Sequence, residues 1–195
     1  MADALSQIEE VFRLVNREVW IVTAADGVSR GGLCATWVSQ TSLDPLRPVA
    51  LLGIAPNHFT RELIDRSRRC ALHLLRSDQA PIALALAIGS GRERDKLAGL
   101  AESESLHEPP RLRDALAWID CRILTHYDGG DRIYYWAAVT QGGLSAADRS
   151  AGQPLRERDV LTAATDEQRR LLKENREFDI ECNRPLHEAW RAQLD

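Results

Sequence analysis

Gly31-Gly32-Leu33-Cys34-Ala35-Thr36-Trp37-Val38-Ser39-Gln40-Thr41-Ser42-Leu43-Asp44-Pro45 is the stretch on which the reading of this chain turns. Its Leu, Cys, Thr, Trp and Val residues favour a β-strand, and Asp44-Pro45 ends it. Small and hydroxyl residues come too often for an ordinary core strand. Thr36, Ser39, Gln40, Thr41 and Ser42 offer donors and acceptors on both faces of the pleat, and the paired glycines permit a close backbone approach. Two readings stand side by side: a polar edge strand, or a strand against which a flat or phosphorylated ligand lies.

Working outward, Val19-Trp20-Ile21-Val22-Thr23-Ala24 reads as a buried strand, and Asp26-Gly27 as a tight turn that pairs it antiparallel with the stretch above. Pro48 to Ala55 is almost continuously apolar, a strand buried on both faces. After Pro56 the pattern becomes helical, with Phe59, Leu63 and Ile64 on one face and Asn57 as N-cap. A helix that starts directly after a buried strand presents free N–H groups and the positive end of its dipole, which suits a phosphate; the plainer alternative is that Asn57 only caps and Thr60 only fills the first turn. Cys70 to Leu75 is a further strand, with His73 a hydrogen-bonded sheet histidine. Asp78 caps an apolar helix through Ile82, Leu84, Leu86 and Ile88, packed inside or at a subunit contact.

Residues 101–114, with Pro109-Pro110, form a loop. Ala115 to His126 and Arg132 to Gln141 read as a long hairpin across Tyr127-Asp128-Gly129-Gly130-Asp131. Its second strand is apolar or aromatic on both faces, which calls for cover from outside the barrel wall, most simply a second subunit. Ile8 to Val15 forms a short amphipathic helix. Beyond Gly142-Gly143 the chain turns charged and helical, with a capping box at Thr165 and Gln168, a last short helix over Leu186 to Trp190, and a solvated run at 156–159; this tail holds little that could do chemistry. The expected fold is mainly β with flanking helices (α+β): an antiparallel barrel over residues 1–144 and a helical C-terminal extension over residues 145–195.

With 195 residues, 44% of them hydrophobic, the chain fills one core with a small appendage. A net charge of −4 argues against a nucleic-acid surface, and Glu62 and Asp65 dilute the Arg66, Arg68, Arg69 cluster. The first residues lack a signal-peptide pattern and no apolar run reaches membrane-spanning length, so the expectation is a cytoplasmic protein without membrane contact. Cys34, Cys70, Cys121 and Cys182 are far apart and the five histidines are scattered, which reads as free thiols and no metal site. Cys34 reads as a reactive thiol or as a buried small hydrophobe. No Gly-x-Ser-x-Gly elbow appears, and Gly89-Ser90-Gly91 follows a helix and so is no dinucleotide fingerprint. The residues alone describe a site for a phosphorylated ligand with a flat apolar part.

The run from Val19 to Thr23, the run from Gly32 to Pro45, and Ala55-Pro56-Asn57-His58-Phe59-Thr60-Arg61-Glu62-Leu63-Ile64 resemble the flavin reductase-like family with the FMN-binding split-barrel fold. Gly89-Ser90-Gly91, Asp95 to Leu100 and Leu116 to Cys121 match later blocks of that family in order, so the resemblance spans roughly residues 8–144. It implies a homodimer that binds FMN, or FAD, and reduces it with NADH or NADPH, handing electrons to free flavin, a monooxygenase or another acceptor. Carried onto this chain, it places Cys34, Ala35, Thr36, Trp37, Ser39, Gln40, Thr41 and Ser42 along the isoalloxazine and ribityl chain. Ala55, Pro56, Asn57 and Thr60 fall at the phosphate end, with Ser90 and Lys96 as further contacts. The family's Gly-Asp-His in the last hairpin corresponds here to Gly130-Asp131-Arg132. Arg132 is then either a nucleotide contact in the cleft or an ion-pair partner of Asp128 or Asp131. A non-catalytic flavin-binding or redox-responsive protein of the same fold is the alternative function.

Overall fold

The computed structural model describes residues 2–145 and 152–194, with the side chains of residues 2–6 left aside. In chain order the elements are α1 (Ala2–Leu14), β1 (Trp20–Ala25), β2 (Arg30–Ala35), β3 (Val38–Gln40), β4 (Val49–Ile54), α2 (Phe59–Ser67), β5 (Arg69–Leu74), α3 (Ala80–Ala87), β6 (Ala117–Asp128), β7 (Ile133–Leu144), α4 (Glu157–Ala163) and α5 (Asp166–Arg191). The strands form one antiparallel sheet in the order β2-β1-β5-β6-β7-β4-β3.

The expected continuous strand over 31–43 is in fact two. Its first half pairs with β1, ending at Trp20 opposite Ala35, and its second half pairs with β4, starting at Val38 opposite Leu52. Between them the chain bends at Thr36, and Gly53 N–H already donates to Trp37 O at 2.9 Å. One stretch therefore supplies both edges of the sheet, and the seven strands curl into a split barrel. Leu33 and Ala35 face the barrel core before the bend and Val38 packs against it after the bend, so the inward positions pass from odd to even numbers where the partner changes.

The interior of the curl is filled by Val22, Leu33, Leu52, Ile54, Leu72, Ile123 and Tyr135, with Leu63 and Ile64 of α2 closing one end. On the other side of the sheet Ile21 of β1, with Val19 and Leu75 just outside β1 and β5, is buried with Ala83, Leu84 and Leu86 of α3, Val160 of α4 and Leu155 just before it. The apolar helix α3 is thus covered by its own chain, the first of the two expected alternatives. The boundary expected after Leu144 adjoins residues 146–151, which lie outside the described residues. Leu155, Val160 and Ala164 from beyond it belong to the same core as Ile21 and Leu86.

Several local expectations are corrected by tertiary partners. His58, not Asn57, stands at the N-cap of α2, because the Asn57 side chain is drawn to α5. Gln79, not Asp78, stands at that of α3: its amide accepts from Arg76 N at 2.8 Å and donates to Asp114 O at 2.6 Å, while Asp78 pairs with Arg76. The run 156–159 is a docking segment, with Arg156 Nη1 on Asn16 O at 2.7 Å and Arg158 N on Asn16 Oδ1 at 3.0 Å. The Thr165 and Gln168 capping box forms as expected, but the two expected tail helices are one 26-residue helix that runs through Pro185. Asn183, buried just before the proline, bonds Asp179 O at 2.8 Å and Asn57 Oδ1 at 3.0 Å, and this anchorage offsets the backbone bond that proline removes.

His73 is a fully buried sheet histidine with both nitrogens engaged: Nε2 accepts from Leu112 N at 3.2 Å, which leaves Nδ1–H to donate to Ile21 O at 3.2 Å. Burial lowers its pKa from 6.5 to about 4. Between those values the unfolded chain holds the extra proton, so stability rises with pH and is lost as pH falls from about 6.5 towards 4, by about 3 kcal/mol in all. Urea midpoints measured across that window should flatten in His73→Gln, whose amide can still donate and accept; an unchanged pH slope would contradict this account.

Candidate functional site

Where β2 bends away from the curl, a cleft of about 890 Å³ opens between five parts of the chain. Gly32, Leu33, Cys34 and Trp37 form its floor, and Asn57 to Thr60 at the start of α2 form one end. The glycine-rich segment from Gly89 to Lys96 forms one side, and Asp131 and Arg132 of the β6–β7 turn meet α5 on the other. The paired glycines of β2 serve packing on both faces of the strand. A Cβ on Gly31 would meet Leu63 Cδ1 at 3.1 Å and one on Gly32 would meet Leu97 Cδ2 at 3.1 Å, so side chains here would push α2 and the 89–97 segment away.

The first turn of α2 has no side-chain cap, and Asn57, His58, Phe59 and Thr60 all line the cleft. A helix N-terminus left open to a cavity is suited to an anion. The cap side chains bind α5 instead: Asn57 Nδ2 donates to Asp179 Oδ1 at 2.8 Å, and His58 Nε2 lies 2.9 Å from Asp179 Oδ2. Burial pushes the Asp179 carboxyl up, but the bonds from His58 and Asn57 together with the charges of His58 and Arg132 outweigh it and hold the group below the usual range. It is a fixed anion facing the basic side of the cleft.

Lys96 is buried, and its Nζ donates to Leu86 O and to Gly89 O at the end of α3. Burial and the neighbouring Arg94 lower its pKa to about 8. Its ammonium satisfies carbonyls that the helix leaves open and so ties the glycine-rich segment down. Cys34 beside it, half-buried on the cleft floor, is pushed up to about 12 by desolvation, which disfavours its thiolate. Arg132 lines the cleft with its guanidinium 4.7 Å from the centroid of the Trp37 ring, and it is tied to Asp131: Nη1 donates to Asp131 O at 2.6 Å and lies 3.6 Å from Asp131 Oδ2. His187 of α5 approaches the same Asp131 carboxylate at 3.5 Å.

Of the residues singled out in the sequence, Cys34, Trp37, Asn57, Thr60, Ser90, Lys96 and Arg132 come together in this cleft. Ala35 points into the barrel interior, Thr36 sits at the bend, and Ala55 is buried in the wall behind α2. Pro56 offers its carbonyl to Arg61 at 2.8 and 3.0 Å. The polar groups of Ser39 to Ser42 turn to the β3–β4 connection: Gln40 Nε2 donates to Ser42 O, Thr41 Oγ1 to Val49 O, Ser42 Oγ to Arg47 O, and Ser39 Oγ to Gln40 O. The tail contributes more than the sequence reading allowed. Leu172, Asn175, Asp179, Asn183 and His187 line the cleft at three- and four-residue spacing, with Arg176, Phe178, Ile180 and Arg184 beside them, a face that helical periodicity could have shown. His58, Phe59 and Arg92 were also passed over.

A flavin mononucleotide fits these groups: the indole of Trp37, 41% exposed, offers a flat apolar surface, and the uncapped helix start with Arg92 and Arg132 offers positive charge for a phosphate. Comparison with known proteins agrees. Diflavin flavoprotein A 1 of Synechocystis sp. is 25% identical over 144 residues, 73% of this chain, and the chain spans about a quarter of that protein's length. The reductase component of the 4-nitrophenol 4-monooxygenase/4-nitrocatechol 2-monooxygenase of Rhodococcus opacus is 34% identical over 138 residues, covering 70% of this chain and 68% of that protein. Among solved structures, the nitrilotriacetate monooxygenase component B homologue from Mycobacterium thermoresistibile superposes with a TM-score of 0.66 at 25% identity, over 78% of this chain and 82% of that one. Residues 12–171 match the model of the flavin reductase like domain, and the chain belongs to that family.

Proposed function

We propose that this protein is a flavin-binding oxidoreductase that holds FMN or FAD in the cleft, takes hydride from NADH or NADPH, and passes the electrons to free flavin or to a protein acceptor such as a monooxygenase. The observation that carries the reading is the joining of an uncapped helix start and a flat indole in one cleft of a chain of this family. The Rhodococcus relative, a monooxygenase reductase component, supports the choice of acceptor.

When bound, the flavin supplies the hydride and electron-transfer chemistry itself. The protein's share is binding and orientation. The floor of β2 and Trp37 would take the ring system, the N–H groups at the start of α2 the phosphate, and Lys96 keeps the glycine-rich segment in register beside them. Arg132 presents the planar fork of a guanidinium to an anionic donor. Its existing ties to Asp131 and Trp37 favour a second reading, a flavin-binding protein without reductase activity. A homodimer is supported by the apolar residues left on the surface of α1, Ile8, Val11 and Phe12, and by Leu124, Tyr127 and Leu144 on β6 and β7. Four free thiols fit a reducing compartment, the cytoplasm; among the described residues no helix is long and apolar enough to cross a membrane.

Fluorescence titration should show FMN or FAD binding at micromolar concentration; a folded protein that binds neither loses the reading. Under anaerobic conditions NADH or NADPH should bleach the bound flavin, and absence of bleaching with both selects the second reading. Arg132→Ala should raise the Michaelis constant for the preferred nucleotide about tenfold while lowering turnover less, and unchanged constants would remove Arg132 from donor binding. Light scattering should give twice the chain mass; a monomer at working concentration would contradict the dimer.

A further inference from the structure

Helix α5 walls one side of the cleft, yet little apolar surface holds it there. Of its 26 residues Asn183 alone is buried, while Phe178, Ile180 and Leu186 stay exposed. Leu172 packs against the core near the start of the helix. Further along, the bonds that tie α5 to the barrel run from Asn175 Nδ2 to Ala87 O at 3.3 Å, from Asn183 Nδ2 to Asn57 Oδ1 at 3.0 Å, from Trp190 Nε1 to Tyr127 Oη at 3.1 Å, and to Asp179 from Asn57 and His58. An element held by exposed polar bonds with few buried apolar contacts belongs to the part of a fold that opens most readily.

The bonds to Asp179 lie at the start of α2. One carboxylate oxygen accepts from Asn57 Nδ2 at 2.8 Å and the other lies 2.9 Å from His58 Nε2, while His58 Nδ1 is buried without a hydrogen-bond partner. An internal anion thus holds the two side-chain donors that stand beside the uncapped N–H groups of the helix. The cations around it are already matched: Arg92 pairs with Glu62 and Arg132 with Asp131, and Arg184 belongs to α5 itself. A phosphate that arrives with α5 docked finds both donors taken and a like charge next to them. We propose that Asp179 is a built-in competitor for the ligand's phosphate, so that α5 is a lid latched on Asn57 and His58 and released by a phosphate that takes both donors. This rests on the flavin reading of the cleft and adds to it a control on entry. A flavin without a phosphate leaves the latch in place.

Fluorescence titrations of the full chain with FMN and with riboflavin, which lacks the phosphate, test this in the native protein and in Asp179→Asn. The variant should bind FMN about tenfold more tightly than the native chain does, and riboflavin equally well. An FMN affinity that is unchanged or lower, or a gain shared by riboflavin, overturns the proposal while the flavin reading survives. Hydrogen exchange of the native chain needs no variant: amides of residues 172–187 should exchange faster with FMN bound than with riboflavin. Exchange that FMN slows or leaves alone overturns the latch even if Asp179→Asn does not fold. Binding of neither flavin to the folded native chain or to the folded variant overturns both readings.

Discussion

A single backbone hydrogen bond, from Gly53 N–H to Trp37 C=O, marks the point at which one stretch of chain leaves β1 and joins β4, and the barrel exists because of that exchange. It depends on close approach. A Cβ at Gly53 would come within 3.1 Å of the Tyr134 ring and 3.3 Å of the Trp37 ring, so a side chain here would displace the two aromatics that lie over β4 at this place. Trp37 is thereby held at the mouth of the cleft, with Arg132 across its face. The same contact that closes the sheet positions the flat surface of the site.

Much of this was legible from residues alone, for physical reasons that can be named. The β1–β2 hairpin, β4, the start of α2, α3 and the β6–β7 hairpin each carry a local signature: alternation, an unbroken apolar run, or glycine at a turn such as Gly130, whose φ of 83° favours no other residue. What the sequence hid were competitions between local and distant partners. Asn57 and Asp78 have the chemistry of helix caps, but Asn57 finds Asp179 more than a hundred residues on, and Asp78 gives way to Gln79, which reaches Asp114. Ser39 to Ser42 drew attention as ligand donors because hydroxyl groups carry no label of their partner; in the structure Gln40 and Ser42 bond within their own turn.

The site shows the same division. The floor and the helix start come from neighbouring elements and were found; the wall comes from α5 and was not. Pro185 and the highly charged surface of that helix disguised its length, while its inward face mixes polar residues with Leu172, Phe178 and Ile180 and so reads as no clean apolar stripe. Asp179 is the centre of this wall, a carboxylate kept ionised in a partly buried place by Asn57 and His58. Through it α5 is fastened to the helix start that the sequence had marked for an anion.

That wall also fixes an order of events. Strands β1 to β4 and helix α2 come from the first 67 residues, whereas the residues of α5 that complete the cleft run from Leu172 to His187. During synthesis the barrel side of the site leaves the ribosome about a hundred residues ahead of its lid, at about 5–20 residues per second. For several seconds the nascent chain presents a half-built, open-sided cleft, and Asn57 and His58 wait without the carboxylate that later binds them. Completion of the site thus waits for a segment made about a hundred residues after its floor.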